Sequence, residues 1–501
     1  MNETPQALYT ALQARDARFD GRFFVGVIST GIYCRPVCPA RTPRFDRCRF
    51  FSHAALAEKN GFRPCLRCRP ELAPSDGQHA LLGHGMARAL VQAAARLIEQ
   101  GALNNDNSAA LAARIGVSPR HLNRLFKAEF GVSPLDYQLT QRLLTAKRLL
   151  VDSTLSMTEI AYAAGFGSVR RFNALFHERY QLSPQQLRAK NSGGNAATLT
   201  FTLSYRPPLA WGALLDYLTQ RAITGIEYIA DNCYQRSVTV NGLHGWISVT
   251  PLPGRHALSV TFPADLAPAS MALIQHVRRM FDLDCRPDLI DAHLAELANE
   301  LPGIRVPGGD SGFEIAVRAV IGQRISVSRA RSQLARLSAA FGRPLAAAMS
   351  GLNQLFPDAE SIAAQSVETL HGVGIEYTKA ATLKRLAASI HQCGLCLTPE
   401  APLEQTLTAL LSIKGIGPWT AQYIAMRALS WPDAWPKGDR ALERQLARYP
   451  QPAKELLVRW APWRAYAAMH LWRQHAVGKQ CLLSAANEQE KSDDNALCRD
   501  Q

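Results

Sequence analysis

Two breaks in composition divide this chain into stretches of different kind. Leu72–Gly85 (LAPSDGQHALLGHG) is rich in Pro, Gly and Ser, and Lys190–Ala197 (KNSGGNAA) is polar and Gly-containing. Such compositions make turns and linkers rather than packed elements. At 501 residues the chain is too long for one typical core, and two to four domains are expected. The stretches differ in kind: a Cys/Arg-rich module over residues 1–76, an all-helical module over 85–190, and a long mixed module from 198 onward. Residues 485–501 (AANEQEKSDDNALCRDQ) are polar, lack apolar periodicity and are expected to be disordered.

Lys and Arg outnumber Asp and Glu by 56 to 41, a formal charge of +15. That excess favours a polyanionic partner, nucleic acid or an anionic membrane surface. No apolar run is long enough to span a bilayer, and the opening MNETPQALYTALQARDARFDG lacks the apolar core of a signal peptide. A cytoplasmic location without membrane association is therefore expected. Thiols stay reduced there, so the cysteines clustered early in the chain are candidates for metal ligation rather than disulfides.

Cys34 and Cys38 are separated by three residues, and Cys65 and Cys68 by two. Two close pairs of thiolates suit one tetrahedral Zn²⁺, and a closed four-cysteine site on spacing alone is a structural staple. The surrounding segments TGIYCRPVC (Thr30–Cys38) and GFRPCLRC (Gly61–Cys68) resemble the N-terminal domain of Ada, the bacterial adaptive-response regulator, over roughly residues 5–72. That resemblance implies that Cys34, the first of the four ligands, accepts a methyl group from a DNA methylphosphotriester. Zinc keeps a bound sulfur as the nucleophilic thiolate. Methylation would take the site from −2 to −1 beside Arg35, Arg41, Arg44, Arg47, Arg49, Arg63, Arg67 and Arg69, which are expected to approach phosphates. Cys48 falls outside the spacing and is expected to be a bystander.

The helical module contains an internal repeat. NRLF at Asn123–Phe126 returns as NALF at Asn173–Phe176, and VSP at Val132–Pro134 as LSP at Leu182–Pro184. Each copy reads as helix, turn at Gly116 or Gly165, helix, with Ser118 before Pro119 as a cap and first-turn pair. This is helix-turn-helix grammar, twice. Residues 88–188 resemble the AraC-type DNA-binding domain, which implies recognition helices at Ser118–Ala128 and Ser168–Glu178, each in a major groove. Arg120, His121, Asn123 and Arg124, with Ser168, Arg170, Arg171 and Asn173, are their outward polar candidates. Leu122, Leu125, Phe126, Phe172, Leu175 and Phe176 are assigned to the core.

In the last module LSIKGIGPWTA (Leu411–Ala421) reads as helix, Gly-x-Gly turn, helix, followed downstream by Asp439 in PKGDR. Gly415 and Gly417 let a backbone approach a phosphate, and the next helix start offers unpaired amides to it. This is the helix-hairpin-helix glycosylase pattern. GFEIAVRAVIGQ (Gly312–Gln323), WRAYAAMHLW (Trp463–Trp472) and the strand-rich stretch from Tyr205 to Leu283 narrow the resemblance to the AlkA type, DNA-3-methyladenine glycosylase II. It implies an α+β subdomain at 198–288 and an all-α helix-hairpin-helix core at 289–484. The expected fold class is thus multidomain and mostly α, adding a small α+β domain with a four-cysteine zinc site and an all-α pair of helix-turn-helix units.

The same resemblance implies Asp439 as catalytic carboxylate, with Trp419, Tyr423 and Trp472 forming an aromatic pocket. A structural Asp capping a helix is the competing reading. Electron-rich rings favour a cationic, alkylated base over a neutral one. Related glycosylases that also cut the backbone use a lysine as amine nucleophile where this chain has Trp419. Only Cys481 and Cys498 follow Asp439, too few for the iron–sulfur cluster of another branch. Cys393 and Cys396 form an unpartnered CxxC. The wedge that replaces a flipped base is a leucine after Gly-Gln in the family; here Arg324 follows Gln323. Arg324 can stack on bases but is not apolar.

Together these readings give a methylation-sensing regulator joined to a monofunctional glycosylase that excises bases such as 3-methyladenine and 7-methylguanine. One Zn²⁺ and no organic cofactor are expected. The expected partners are double-stranded DNA, damaged and promoter, with RNA polymerase as a further candidate, and the chain acting as a monomer on the nucleoid. The competing reading is a transcription regulator whose glycosylase-like module binds DNA without catalysis. No Pro-Cys-His-Arg segment occurs, so repair of O6-methylguanine is not expected.

Overall fold

The computed structural model describes residues 3–75, 86–104, 106–188, 197–349 and 351–478. Residues 485–501 and most of both expected linkers lie outside the described residues.

The first module is a four-stranded sheet in the order β3-β1-β2-β4, with β1 Phe24–Val27, β2 Ile32–Cys34, β3 Cys48–Phe51 and β4 Arg63–Pro64. Helices Pro5–Gln13 and Ala54–Lys59 accompany it. Phe24, Tyr33, Phe51 and Phe62 pack together as its apolar centre. Gly26 of β1 permits this: a Cβ there would sit 2.7 Å from the Phe51 ring and 2.8 Å from that of Phe62.

The two helix-turn-helix units are Ser108–Arg114 with Pro119–Phe130, and Met157–Ala163 with Val169–Tyr180. Gly116 and Gly165 turn at φ 74° and 83°, where a side chain would be strained. Ser118 and Ser168 accept from the backbone N–H of His121 and Arg171 and cap the second helix of each unit. The long helix Pro134–Asp152 joins the units and is buried along most of its length. Capping boxes at Ser133/Asp136 and Ser156/Glu159 fix where the helices of the joint begin.

The α+β subdomain is a five-stranded antiparallel sheet, β5-β9-β8-β7-β6, built from β5 Thr198–Ser204, β6 Glu227–Ala230, β7 Cys233–Val240, β8 Leu243–Pro251 and β9 Ala257–Pro263. Helices Trp211–Thr219 and Ser270–Met280 cover it. A helical core follows, interrupted by one short antiparallel pair, Pro344–Met349 with Leu352–Gln354, that the helical periodicity did not single out. This pair bridges back to the subdomain at Gly225↔Leu352. Glu314 joins the same two parts from the helix Gly312–Ile321. It is fully enclosed by Arg236 of β7 and Arg318, at 2.6 and 2.7 Å. Burial alone would raise this carboxyl, but the two guanidinium groups outweigh it and hold the group at about 2. Buried charge of this kind persists only when paired.

The modules are packed against one another. Lys147 meets Glu71 at 2.5 Å with both side chains buried. Glu58 accepts from Tyr33, Thr140 and Tyr180 at 3.0, 3.0 and 3.2 Å. Arg206 of the glycosylase half donates to the carbonyls of Asp20, Ser75 and Asp284. Two arginines expected to face phosphates are used up in this packing. Arg35 is 6% exposed and pairs with the buried Asp20, while Arg69 bonds Glu71 and Asp152. Their sequence position beside the cysteines could not show acidic partners supplied from elsewhere. No helix among the described residues is long and apolar enough to cross a membrane.

Candidate active site and metal centre

Parallel pairing of β2 with β4 (Tyr33↔Pro64) carries the two cysteine pairs to one place. The Cys65 N–H donates to the Tyr33 carbonyl at 3.0 Å, aligning Cys65 beside Cys34. The sulfurs of Cys34, Cys38, Cys65 and Cys68 all lie within 4.8 Å of one another. Four Zn–S bonds of about 2.3 Å in a tetrahedron need sulfurs about 3.8 Å apart, so the donor set fits one Zn²⁺. The backbone N–H of Arg35 donates to the Cys68 sulfur at 3.3 Å, the kind of support metal ligands receive from their surroundings. Cys34 is the least enclosed residue of the four. Cys48 bonds the Arg44 carbonyl instead. Arg41, Arg44, Arg47, Arg49 and Arg67 remain exposed, and Arg63 half-buried.

On the second helices of the two units, Leu122, Phe126, Phe172 and Phe176 are buried, and Leu125 and Leu175 half-buried. Arg120, Asn123, Arg124, Ser168, Arg170, Arg171 and Asn173 are exposed and His121 half-buried. His121 and Arg124 meet at 3.0 Å across one turn.

In the glycosylase half, one cleft of about 2120 Å³ brings together Gln323, Arg324, Trp419, Tyr423, Asp439 and Trp472. Asp439 does cap a helix: its Oδ1 accepts from the N–H groups of Ala441 and Leu442 at 2.9 and 3.0 Å. The same oxygen accepts from the Trp472 indole at 3.2 Å, and Oδ2 from the Trp419 indole at 3.1 Å. The capping role and the pocket role therefore coexist in one carboxylate. Trp419 stacks on Tyr423 at 5.4 Å, and Trp472 tilts against Tyr423 at 6.1 Å.

Tyr423 is buried behind these indoles, with Arg427 donating to its hydroxyl at 2.8 Å and the Tyr217 hydroxyl 3.3 Å away. Burial pushes the phenol up. The Arg427 and Arg221 cations and the hydrogen bonds from Tyr217 and Arg427 more than reverse that, leaving it at about 8. Tyr217 was not anticipated. It comes from the α+β subdomain, with the Arg221 guanidinium 3.8 Å over its ring, and no local motif marks it.

The helices Leu403–Ser412 and Pro418–Arg427 enclose the expected hairpin. Gly415 has φ 103°, and a Cβ there would lie 2.0 Å from the Thr382 hydroxyl. Gly417 caps the second helix with nothing within 4 Å of its missing Cβ. Gln323 lies at the cleft edge with its amide donated to the Gly415 carbonyl and the Thr420 hydroxyl, at 3.0 and 2.8 Å. Arg324 is exposed at φ 56°.

Family descriptions match in the same order along the chain: the metal binding domain of Ada at 7–71, a helix-turn-helix domain at 111–190 and the AlkA N-terminal domain at 200–311. A Mycobacterium tuberculosis protein described as a probable bifunctional transcriptional activator/DNA repair enzyme AlkA is 35% identical over 498 residues, 96% of this chain and 98% of its own. The chain belongs to this bifunctional activator and repair enzyme family. DNA-3-methyladenine glycosylase 2 of Escherichia coli is 32% identical over 54% of this chain and 96% of its own. The bifunctional transcriptional activator/DNA repair enzyme Ada of E. coli is 31% identical over 55% of this chain and 68% of its own. The two partial relatives are similar to portions of a chain that the bifunctional family matches nearly end to end.

Proposed function

We propose that the glycosylase half hydrolyses the N-glycosidic bond of alkylated bases such as 3-methyladenine and 7-methylguanine in duplex DNA. The observation that carries this is the Asp439 carboxylate, aimed by two indole N–H groups inside an aromatic cleft. An alkylated purine bears positive charge. Once flipped from the stack, it meets the electron-rich faces of Trp419 and Trp472, with Tyr423 behind them. As the base leaves, charge grows on the sugar, and Asp439 stabilises it while water completes the hydrolysis. The Gly415–Gly417 hairpin and the helix start behind it hold a phosphate, and Arg324 fills the vacated stack. With Trp419 where a lyase would need lysine, the product is an intact abasic strand. The test is release of 3-methyladenine from methylated duplex, which Asp439→Asn should abolish; near wild-type release by that variant overturns the assignment. The two indole bonds to Asp439 inside the aromatic cleft favour catalysis over a module that only binds DNA.

The regulator half, on the same reading, is a single-use methyl acceptor. Cys34, Cys38, Cys65 and Cys68 would hold one Zn²⁺, which would keep the Cys34 sulfur as a thiolate; that sulfur forms a new S–C bond as the methyl C–O bond of the phosphotriester breaks, leaving an ordinary phosphodiester anion. The drop in negative charge at the zinc site beside the exposed arginines tightens DNA binding. Because both recognition helices lie in one chain, a monomer suffices to grip promoter DNA, with RNA polymerase as partner there. Mass spectrometry after incubation with methylated DNA should show one added methyl on Cys34; an adduct confined to another cysteine overturns this.

A further inference from the structure

We propose that Lys379 is a positioning residue for base extrusion: it fixes the turn that carries Arg324 relative to the phosphate-binding hairpin. The inference rests on the glycosylase reading above. The helix Gly312–Ile321 runs out immediately before this turn, and the last carbonyls of a helix have no partner within it. Helices commonly solve this with a left-handed glycine. Here Arg324 holds the left-handed conformation, at φ 56°, so the turn needs external support.

Lys379 supplies it. Its ammonium donates to the carbonyls of Ile321 and Gln323 at 2.9 and 2.7 Å, one on each side of Gly322. The residue is only 7% exposed. Lysine is rarely so enclosed unless its charge is used, and carbonyls at a helix C-terminus are a natural counterpart for a cation.

Lys379 lies on the helix Tyr377–His391, which also grips the hairpin. Thr382 and Arg385, at successive three-residue steps, each donate to the Lys414 carbonyl at 3.2 Å. One helix face therefore holds the Arg324 turn at one end and the hairpin at the other. Gln323 closes the third side through Gly415 and Thr420. A wedge must enter the duplex at a fixed offset from the phosphate that the hairpin holds, and misplacement by an ångström costs about 10²-fold in rate.

The test compares full-length wild type, Lys379→Met and Lys379→Arg. One duplex carries 7-methylguanine in a normal pair; the other carries it in a single-nucleotide bulge, already largely unstacked. Lys379→Met should bind both duplexes within about twofold of wild type, because hairpin and Arg324 persist. It should release base from the paired duplex about 10²-fold more slowly yet from the bulge at near wild-type rate, with Lys379→Arg recovering most of the paired rate. A 2-aminopurine beside the target should brighten on wild-type binding and stay quenched with Lys379→Met. Equal deficits on both duplexes, or no deficit on either, overturn the positioning role. If wild type releases base from neither, the glycosylase reading itself has failed.

Discussion

The zinc centre and the glycosylase cleft are both built around a few reactive atoms, but they are assembled over different distances along the chain. The zinc centre draws its ligands from Cys34 to Cys68, joined by one parallel strand pair. The cleft draws on Tyr217, Gln323, Lys379, Trp419, Asp439 and Trp472, and its critical hydrogen bonds span up to 206 residues. A local site can be specified by spacing. A distributed one depends on the packing of the whole half, so its supporting residues carry no motif of their own.

Metal removal should separate the two most sharply. Binding of structural zinc is worth on the order of 10 kcal/mol, so chelation should unfold the first module and abolish methyl acceptance. Base release should survive, because among the described residues no cleft residue comes from that module. Loss of base release in the zinc-stripped chain, assayed beside circular dichroism, would mean the halves do not work separately.

Asp439→Asn comes next. Asparagine caps a helix about as well as aspartate, so the fold should stand while turnover drops on the order of 10²–10³-fold. Asp439→Ala should lose the cap as well and be less stable by about 1 kcal/mol. If the two variants melt alike, the capping contribution is wrong.

Glu58 offers a test of the contact between zinc module and helix-turn-helix pair. Burial raises its carboxyl to about 7 from an ordinary 4.5, against the Thr140 and Tyr33 hydrogen bonds that lower it. A raised folded value means its stabilisation is complete below pH 4.5 and is lost as pH rises through about 7. Glu58→Gln should flatten that window by on the order of 1–3 kcal/mol, measurable as a melting temperature that varies less with pH than in wild type. An unchanged pH profile would contradict the burial argument.

The smallest effects sharpen the picture inside the cleft. Trp419→Phe keeps a ring but deprives Oδ2 of Asp439 of its indole bond, and should slow base release roughly tenfold. Trp472→Phe should cost only a few-fold, because Oδ1 keeps two backbone amides. Single-turnover rates that reverse this order would show that the indole bond to Oδ2 is not what orients the carboxylate.

What the sequence made legible follows the same division. The cysteine spacing picked out the four sulfurs that the fold brings together, and the repeat picked out the second helix of each helix-turn-helix unit. Their capping serines, Ser118 and Ser168, lie where local rules put them. Asp439, Trp419 and Trp472 were found through motif resemblance, but their hydrogen bonds to one another were not, since nothing local reports an orientation. Tyr217 and Lys379 escaped because their hydrogen-bond partners lie 56 to 206 residues away along the chain. Arg35 and Arg69 were misplaced for the converse reason: Asp20 and Asp152 draw them inward.

Arg206 bears on how the two halves are held relative to one another. Its guanidinium binds carbonyls on both sides of the boundary between halves, at Asp20 and Ser75 on one and Asp284 on the other. A pair of domains on a slack tether samples a cloud of separations, and the second finds its target at a concentration set by tether length. A pair locked through Arg206 has one separation. If both halves bind DNA as proposed, this packing would set the spacing between their DNA-contacting faces instead of leaving it to a tether.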